Sequence, residues 1–310
     1  MQQQHNNTEL ANEVIIVAGG TGKLGQRIAW HLRRNGANVR ALIRRGSTNN
    51  ETTIAFLREQ GATIVEIDFN DAAGLAKACA GGACLVSAIS GLRDVIVGTQ
   101  TRLLQAAIDA GVPRFIPSDY SIDYTKLPPG SNRNLDLRRE FNEQLNKAPI
   151  KATSILNGMF TDLLTGQAPV VLFGLKRVAY WGDAGKLLDF TTMEDTAAYT
   201  AMAALDPHTP RYLRIAGEVA DITDLKNAAT QVTGKPFKLF RVGSLGTFST
   251  MIHVAKSLFP AENDVFPPWQ GMQYLHNMFS GLPKLNPLDN NRYPNLNWTS
   301  VREILATRPR

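Results

Sequence analysis

Four glycines fall within seven residues, Gly19, Gly20, Gly22 and Gly25, in the stretch EVIIVAGGTGKLGQRIAWHL. Gly19, Gly22 and Gly25 keep a G-x-x-G-x-x-G spacing between an apolar run and a helical pattern. Residues without a Cβ let a chain turn tightly and bring its N–H groups against a phosphate. The helix that follows adds its partial positive charge. The spacing therefore predicts a pyrophosphate lodged on the amides of residues 20–25. A Walker-type loop is excluded, because Gly22-Lys23 is followed by Leu24 rather than Ser or Thr, and position 17 is Val rather than Gly.

The end of the second predicted strand decides which dinucleotide fits. An NAD site places a carboxylate there to grip ribose hydroxyls. This chain has ALIRRGS, with Arg44 and Arg45 and no carboxylate until Glu51. A guanidinium at that point takes an adenosine 2′-phosphate by a charge-assisted contact, so the expected cofactor is NADP(H). Asp68 and Phe69, after the third strand, are where the adenine edge would lie; Asp68 as a simple turn cap is the alternative.

Other chemistries find little support. The two cysteines, Cys79 and Cys84, have no CxxC partner and read as buried, reduced thiols of a cytoplasmic protein. The five histidines show no ligand spacing, so no metal is expected. The net charge of +6 is scattered in small knots, without a nucleic-acid-binding motif, which points to an anionic small ligand rather than nucleic acid. The longest apolar runs, Val14–Ala18 and Pro169–Phe173, are far too short to span a membrane.

These residues need a frame. Apolar runs predict strands at 14–18, 38–43, 63–67, 84–88, 114–117 and 153–156. Helical patterns fill 24–35, 53–60, 72–80, 98–110 and 137–147. Strand–helix alternation of this kind gives an α/β fold, a doubly wound parallel sheet of the Rossmann type. Residues 1–12 read as a mobile polar tail and 13–165 as the cofactor-binding domain. Residues 166–310, interleaved with it, read as a smaller α+β substrate region over the sheet's open edge. There RVAYWGDAGKLLDF suggests two strands around a turn. TTMEDTAAYTAMAAL suggests a helix opened by a Thr192–Asp195 capping box. Further expectations are a helix at TDLKNAATQVTG and strands at 211–215 and 237–242. Met159, Phe160, Tyr180, Trp181, Trp269, Met272, Tyr274 and Phe279 suit either a flat apolar ligand or the core.

Taken together, VAGGTGKLG, RALIRR, RFIPSDYS and ATSILNGMF resemble the NmrA-like and isoflavone-reductase-like group of atypical short-chain dehydrogenases. The resemblance is specific over residues 13–165 and looser beyond, where DFTTMEDTA is the best point. It implies NADP(H) binding, with Thr21, Lys23 and Leu24 as further phosphate-loop contacts. It implies backbone contacts from Ala88 and Ile89, and includes Ser118 and Asn157 in the cofactor-binding motifs. Members of the group either reduce aromatic phenylpropanoid ethers, isoflavones or quinones, or bind NADP(H) as redox sensors of regulatory proteins.

The catalytic residues separate these alternatives. The Tyr-x-x-x-Lys pair of ordinary short-chain dehydrogenases is absent, since Lys126 stands six residues after Tyr120 and two after Tyr124. The resemblance puts a proton-handling lysine on the helix after RFIPSDYS, where this chain has Arg138 or Arg139. An arginine holds a phosphate, a ribose or an oxyanion but does not exchange protons at working pH. Tyr120 is left as a proton donor, with Asp119 to orient Tyr120 or Arg139; packing and turn-capping roles are the alternative. The expectation is an NADPH-dependent reductase, monomeric or homodimeric, of a small aromatic carbonyl, quinone or alcohol-type substrate. A non-catalytic NADP(H) sensor is the rival, and a nucleotide-sugar epimerase relative a third option.

Overall fold

The structure, a computed structural model, describes residues 13–46 and 51–308, so the tail expected at 1–12 lies outside the described residues. The chain divides into two compact units, each discontinuous in sequence. Among the described residues, unit 1 comprises those up to Asp119 together with Leu137–Ile155 and Thr196–Leu213. Unit 2 comprises Tyr120–Asp136, Leu156–Asp195 and the described residues from Arg214 onward.

The first unit is built on strands β1 (Val14–Ala18), β2 (Asn38–Arg44), β3 (Thr63–Ile67), β4 (Gly82–Ser87), β5 (Arg114–Ile116) and β6 (Lys151–Ala152). All five pairings among them are parallel, and the spatial order is β3-β2-β1-β4-β5-β6. The connecting helices are α1 (Lys23–Arg34), α2 (Glu51–Glu59), α3 (Ala72–Cys79) and α4 (Gln100–Asp109). α5 (Arg133–Leu145) and α6 (Met193–Leu205) follow. β1 lies between β2 and β4, and Ile15 to Ala18 are completely buried, as the unbroken apolar run VIIVA requires of a strand covered on both faces. α1 buries Gly25, Ile28, Ala29 and Leu32, the stripe that a 3.6-residue period places on one side. Each large aliphatic side chain so buried contributes about 2 kcal/mol.

Boundaries differ from the sequence expectation where local pattern was silent. The expected helix at 98–110 is preceded by a π-helical segment, Asp94–Thr99, that runs directly into α4. The expected strand at 153–156 begins one residue later, as Ser154–Leu156, and belongs to a separate two-stranded sheet; the sixth strand of the main sheet is Lys151–Ala152, and Thr153 lies between the two. The Thr153 hydroxyl bonds to Thr209 and to the Pro210 carbonyl.

The second unit contains two small sheets. Lys238–Gly243, Arg177–Trp181 and Val171–Leu172 form one; Glu218–Ala220, Leu188–Thr191 and Met159–Phe160 form the other. The two strands expected around the Gly-Asp-Ala-Gly turn are therefore present but belong to different sheets, not to a hairpin. Helices α7 (Ile222–Thr233), α8 (Leu245–Leu258) and α9 (Pro268–Ser280) complete its framework. At the expected Thr192–Asp195 cap, Asp195 N donates to Thr192 Oγ1 (2.9 Å), and the Asp195 carboxylate also accepts from Thr299 N and Oγ1.

Cys79 and Cys84 are both fully buried, and burial pushes each thiol up to about 11. The thiolate that reacts with alkylating agents is then only about one part in ten thousand at pH 7. Iodoacetamide at neutral pH is expected to label neither cysteine in the folded protein and both in denaturant, as read by intact mass. Labelling of native protein would show that this part of the sheet opens.

Candidate functional site

In the first unit the glycine loop joins β1 to α1, at the carboxyl edge where the strand order reverses between β1 and β4. Gly19 has φ +84°, and a Cβ there would lie 2.7 Å from the Ala88 carbonyl oxygen and 2.9 Å from Ile89 N. The segment after β4 thus passes directly against the loop, held by Ala88 N donating to the Ala18 carbonyl (2.8 Å). A Cβ on Gly25 would meet the Gly19 carbonyl oxygen at 2.1 Å, so helix and loop touch backbone to backbone. Gly22 N closes the turn onto Gly19 O at 3.0 Å.

Gly22 is also the N-cap of α1. It offers no side-chain cap, and the first helical turn carries no acid. The free amides of a helix start ordinarily bond to a capping side chain, to water or to a ligand. Here the local chemistry is arranged for an anion. Gly22 and Lys23 are exposed, Thr21 and Leu24 half-buried, and Gly20 buried behind them.

The other expected contacts fall around the same edge. Arg44 ends β2, and Arg45 N extends the ladder to the Ile67 carbonyl (3.0 Å); both arginine side chains are exposed. Asp68 takes the turn-capping role, accepting from Asn70 N at 2.9 Å. Phe69 is 9% exposed and belongs to the hydrophobic cluster with Ile67, Leu75 and Leu103, while its carbonyl accepts from Arg102 Nε (2.9 Å). Ile89 is half-buried; its carbonyl accepts from Ser118 Oγ at 2.7 Å, and Ser118 N donates to Gln100 Oε1 at 2.8 Å. Ser118 is thereby a strut between the β4 and β5 loops.

Asp119 is completely buried, and its Oδ2 accepts from Ser154 Oγ (2.6 Å) and Asn142 Nδ2 (2.9 Å). Arg211 secures both partners, donating to Ser154 Oγ (2.7 Å) and to Asn142 Oδ1. Asn142 Nδ2 also bonds to the Arg138 carbonyl, one turn earlier on α5 (2.9 Å). Arg138 is 9% exposed, Arg139 half-buried. A bidentate pair, Arg93 Nη1 to Glu140 Oε2 (2.6 Å) and Nη2 to Oε1 (2.5 Å), ties the start of the π-helical segment to α5. Sequence reasoning did not find Arg211, Arg93 or Gln100, because their partners lie far along the chain and no spacing announces them.

Tyr120 and Asn157 fall in the second unit. Tyr120 is 7% exposed. Asn157 is fully buried, its N donating to Ser121 O (2.9 Å) and its carbonyl accepting from Thr191 Oγ1 (2.7 Å). Neither end of its side-chain amide has a partner among the described residues, a pattern that fits an ordered water. Of the aromatic candidates, Trp269 (1%) and Phe279 (1%) are core residues. Trp269 donates from Nε1 to the Pro260 carbonyl (2.9 Å) and lies under the Arg133 guanidinium. Trp181 stacks on Phe248 with centroids 4.0 Å apart. Among the described residues no group of three His, Cys, Asp or Glu is placed to hold a metal, and no helix is long and apolar enough to cross a membrane.

Sheet order, glycine loop and uncapped helix start together define a doubly wound α/β chain of the Rossmann type. The chain belongs to the NmrA-like family, matching it over residues 11–265, well beyond the stretch where the sequence motifs are specific. Pinoresinol reductase 2 of Arabidopsis thaliana is 31% identical over 208 residues, 63% of this chain and 65% of that protein. The isoflavone reductase homolog IRL of Zea mays is 26% identical over 236 residues, 72% of this chain and 75% of its own length. The chain thus spans about two thirds of the length of the first of these relatives. Among solved structures, AtPrR2 with NADP+ and (+)pinoresinol has a TM-score of 0.82 at 23% identity, over 95% of this chain and 98% of that one. The leucoanthocyanidin reductase–NADPH complex from Vitis vinifera has a TM-score of 0.78 at 18% identity, over 94% and 98%. At such identities the likeness is one of fold.

Proposed function

We propose that this chain is an NADPH-dependent reductase of a small aromatic substrate of the carbonyl, quinone or alcohol type. The observation that carries it is the start of α1: exposed, without a side-chain cap or an acid, and reached by a loop in which Gly19 and Gly25 are required by close backbone approach. Residues 20–25 would hold the pyrophosphate, and Arg44 with Arg45 the 2′-phosphate. The names of the relatives, pinoresinol and isoflavone reductases, support the substrate class. When bound, NADPH supplies a hydride from its nicotinamide. Arg139 would then stabilise negative charge on the substrate oxygen, and Tyr120 or water would supply the proton.

A second reading is a NADP(H) sensor without turnover. It is favoured by the arginines at 138 and 139, where the family's reductases carry a lysine. Equal affinity for NADP+ and NADPH would remove the basis for such sensing. The reductase reading is tested by incubating purified protein and NADPH with a panel of quinones and aromatic carbonyls; it fails if no member accelerates NADPH oxidation.

The phosphate assignment has its own test. Arg44→Glu is expected to weaken NADPH binding by about a hundredfold and NADH binding by less than about threefold, because a charge-assisted bond becomes a like-charge contact. Fluorescence titration with both nucleotides reads the difference, and unchanged affinities would relocate the 2′-phosphate.

A further inference from the structure

Beside the end of β2 the first unit has an open groove of about 420 Å³. Glu51, Ile54 and Arg58 line it from α2; they stand at i, i+3 and i+7, one face of that helix. Ile43 and Glu66 line it from β2 and β3, where they are register partners. Ile43 (3% exposed) and Ile54 (9%) make an apolar floor. Arg44, Arg58, Glu51 and Glu66 stand around the rim, all four exposed. None of these charged heads makes a hydrogen bond or ion pair with another described residue, although both signs line one groove.

Helical side chains lean toward the helix N-terminus. Arg58, in the last turn of α2, therefore leans back toward the Arg44 end, while Glu51 stands in the first turn. The groove so offers two guanidinium groups for a phosphate of charge between −1.5 and −2, and two carboxylates that repel it, Glu66 on β3 and Glu51 on α2. For a ligand with a free ribose hydroxyl the Glu51 carboxylate is an acceptor.

We propose that Arg58 and Glu51 set this chain's choice between a 2′-phosphate and a 2′-hydroxyl, Arg58 as a further guanidinium on the phosphate beside Arg44 and Arg45, and Glu51 as a group that opposes it. The proposal rests on the NADP(H) reading above. It adds that discrimination comes from α2 as well as from the strand end. It also makes Glu51 a residue that favours NADH.

The test titrates the full chain and its Arg44→Gln, Arg58→Gln and Glu51→Gln variants with NADPH and with NADH, by fluorescence and by calorimetry. All three sites are exposed, so melting temperatures are expected to stay within about 2 °C of the parent's. Arg58→Gln is expected to weaken NADPH about tenfold and to leave NADH within about twofold. Glu51→Gln is expected to move the ratio the other way, tightening NADPH about threefold and weakening NADH by a similar factor. Added salt compresses both effects, because exposed charges are screened. If Arg44→Gln selectively weakens NADPH while the α2 variants leave the ratio unchanged, the proposal is overturned and the cofactor reading stands. If all three variants keep the parent's preference, the 2′-phosphate lies elsewhere and the proposal falls with that assignment. A parent that binds neither nucleotide removes the cofactor reading itself.

Discussion

Gly25→Ala is expected to weaken NADPH binding by at least about two orders of magnitude, equivalent to roughly 3 kcal/mol. The added Cβ would sit 2.1 Å from the Gly19 carbonyl oxygen, 2.8 Å from the Gly19 carbonyl carbon and 3.0 Å from Gly20 Cα. All three are backbone atoms, so no side chain can swing aside. Nor can Gly19 retreat freely, since its own Cα already faces the backbone of Ala88 and Ile89. Either α1 shifts along its axis or the loop unwinds, and both displace the amides meant for the pyrophosphate. Gly22→Ala is the graded control. Its Cβ meets only the Gly19 oxygen, at 3.3 Å, a contact that a few tenths of an ångström relieve. Calorimetric titration with NADPH should rank the parent first, Gly22→Ala second and Gly25→Ala last. A Gly25→Ala protein that binds within threefold of the parent would mean that the loop is soft and its close packing incidental.

That loop was also the most legible feature of the sequence. Its spacing, the apolar strand before it and the helical stripe after it state a local geometry that tertiary context does not override. Strands β2 to β5 were legible for a similar reason, since buried parallel strands are short apolar runs bounded by turn residues, whereas β6, Lys151–Ala152, has no such run. The π-helical segment was not. Val95, Ile96 and Val97 form an apolar run of β-branched residues, and nothing in periodicity distinguishes their winding from a loop entering α4. The division into units was also hidden. Chain segments 120–136 and 137–155 look continuous in sequence, yet they belong to different compact bodies. Such an exchange is decided by long-range packing, which single-sequence pattern does not carry. The candidate chemistry lay between these extremes. Residue types at 119, 120, 138 and 139 were readable, but not what each side chain grips.

Asp119 shows what is gained by knowing the grip. Asp119→Ala is expected to lower the stability of the chain by about 3 kcal/mol, a fall of roughly 6–12 °C in melting temperature. The carboxylate, fully buried, accepts hydrogen bonds from Ser154 and Asn142, and Arg211 holds those two from the far side. Truncation leaves a buried hydroxyl and a buried amide without their acceptor and deprives the cluster around the Arg211 guanidinium of its carboxylate. The consequence reaches α5, because the same Asn142 amide anchors the Arg138 carbonyl. Asp119→Asn keeps an oxygen for one donor and should recover part of the loss. A double-mutant cycle with Ser154→Ala should show coupling of at least about 1 kcal/mol between the two sites, as expected for neighbours in one network. Thermal melts of these variants, with NADPH affinity measured alongside, discriminate the possible roles of the carboxylate. If Asp119→Ala melts with the parent yet loses all turnover, the carboxylate acts on the reacting groups rather than through the network. If stability and coupling fall together, Asp119 is the residue that fixes α5 and its arginines in place.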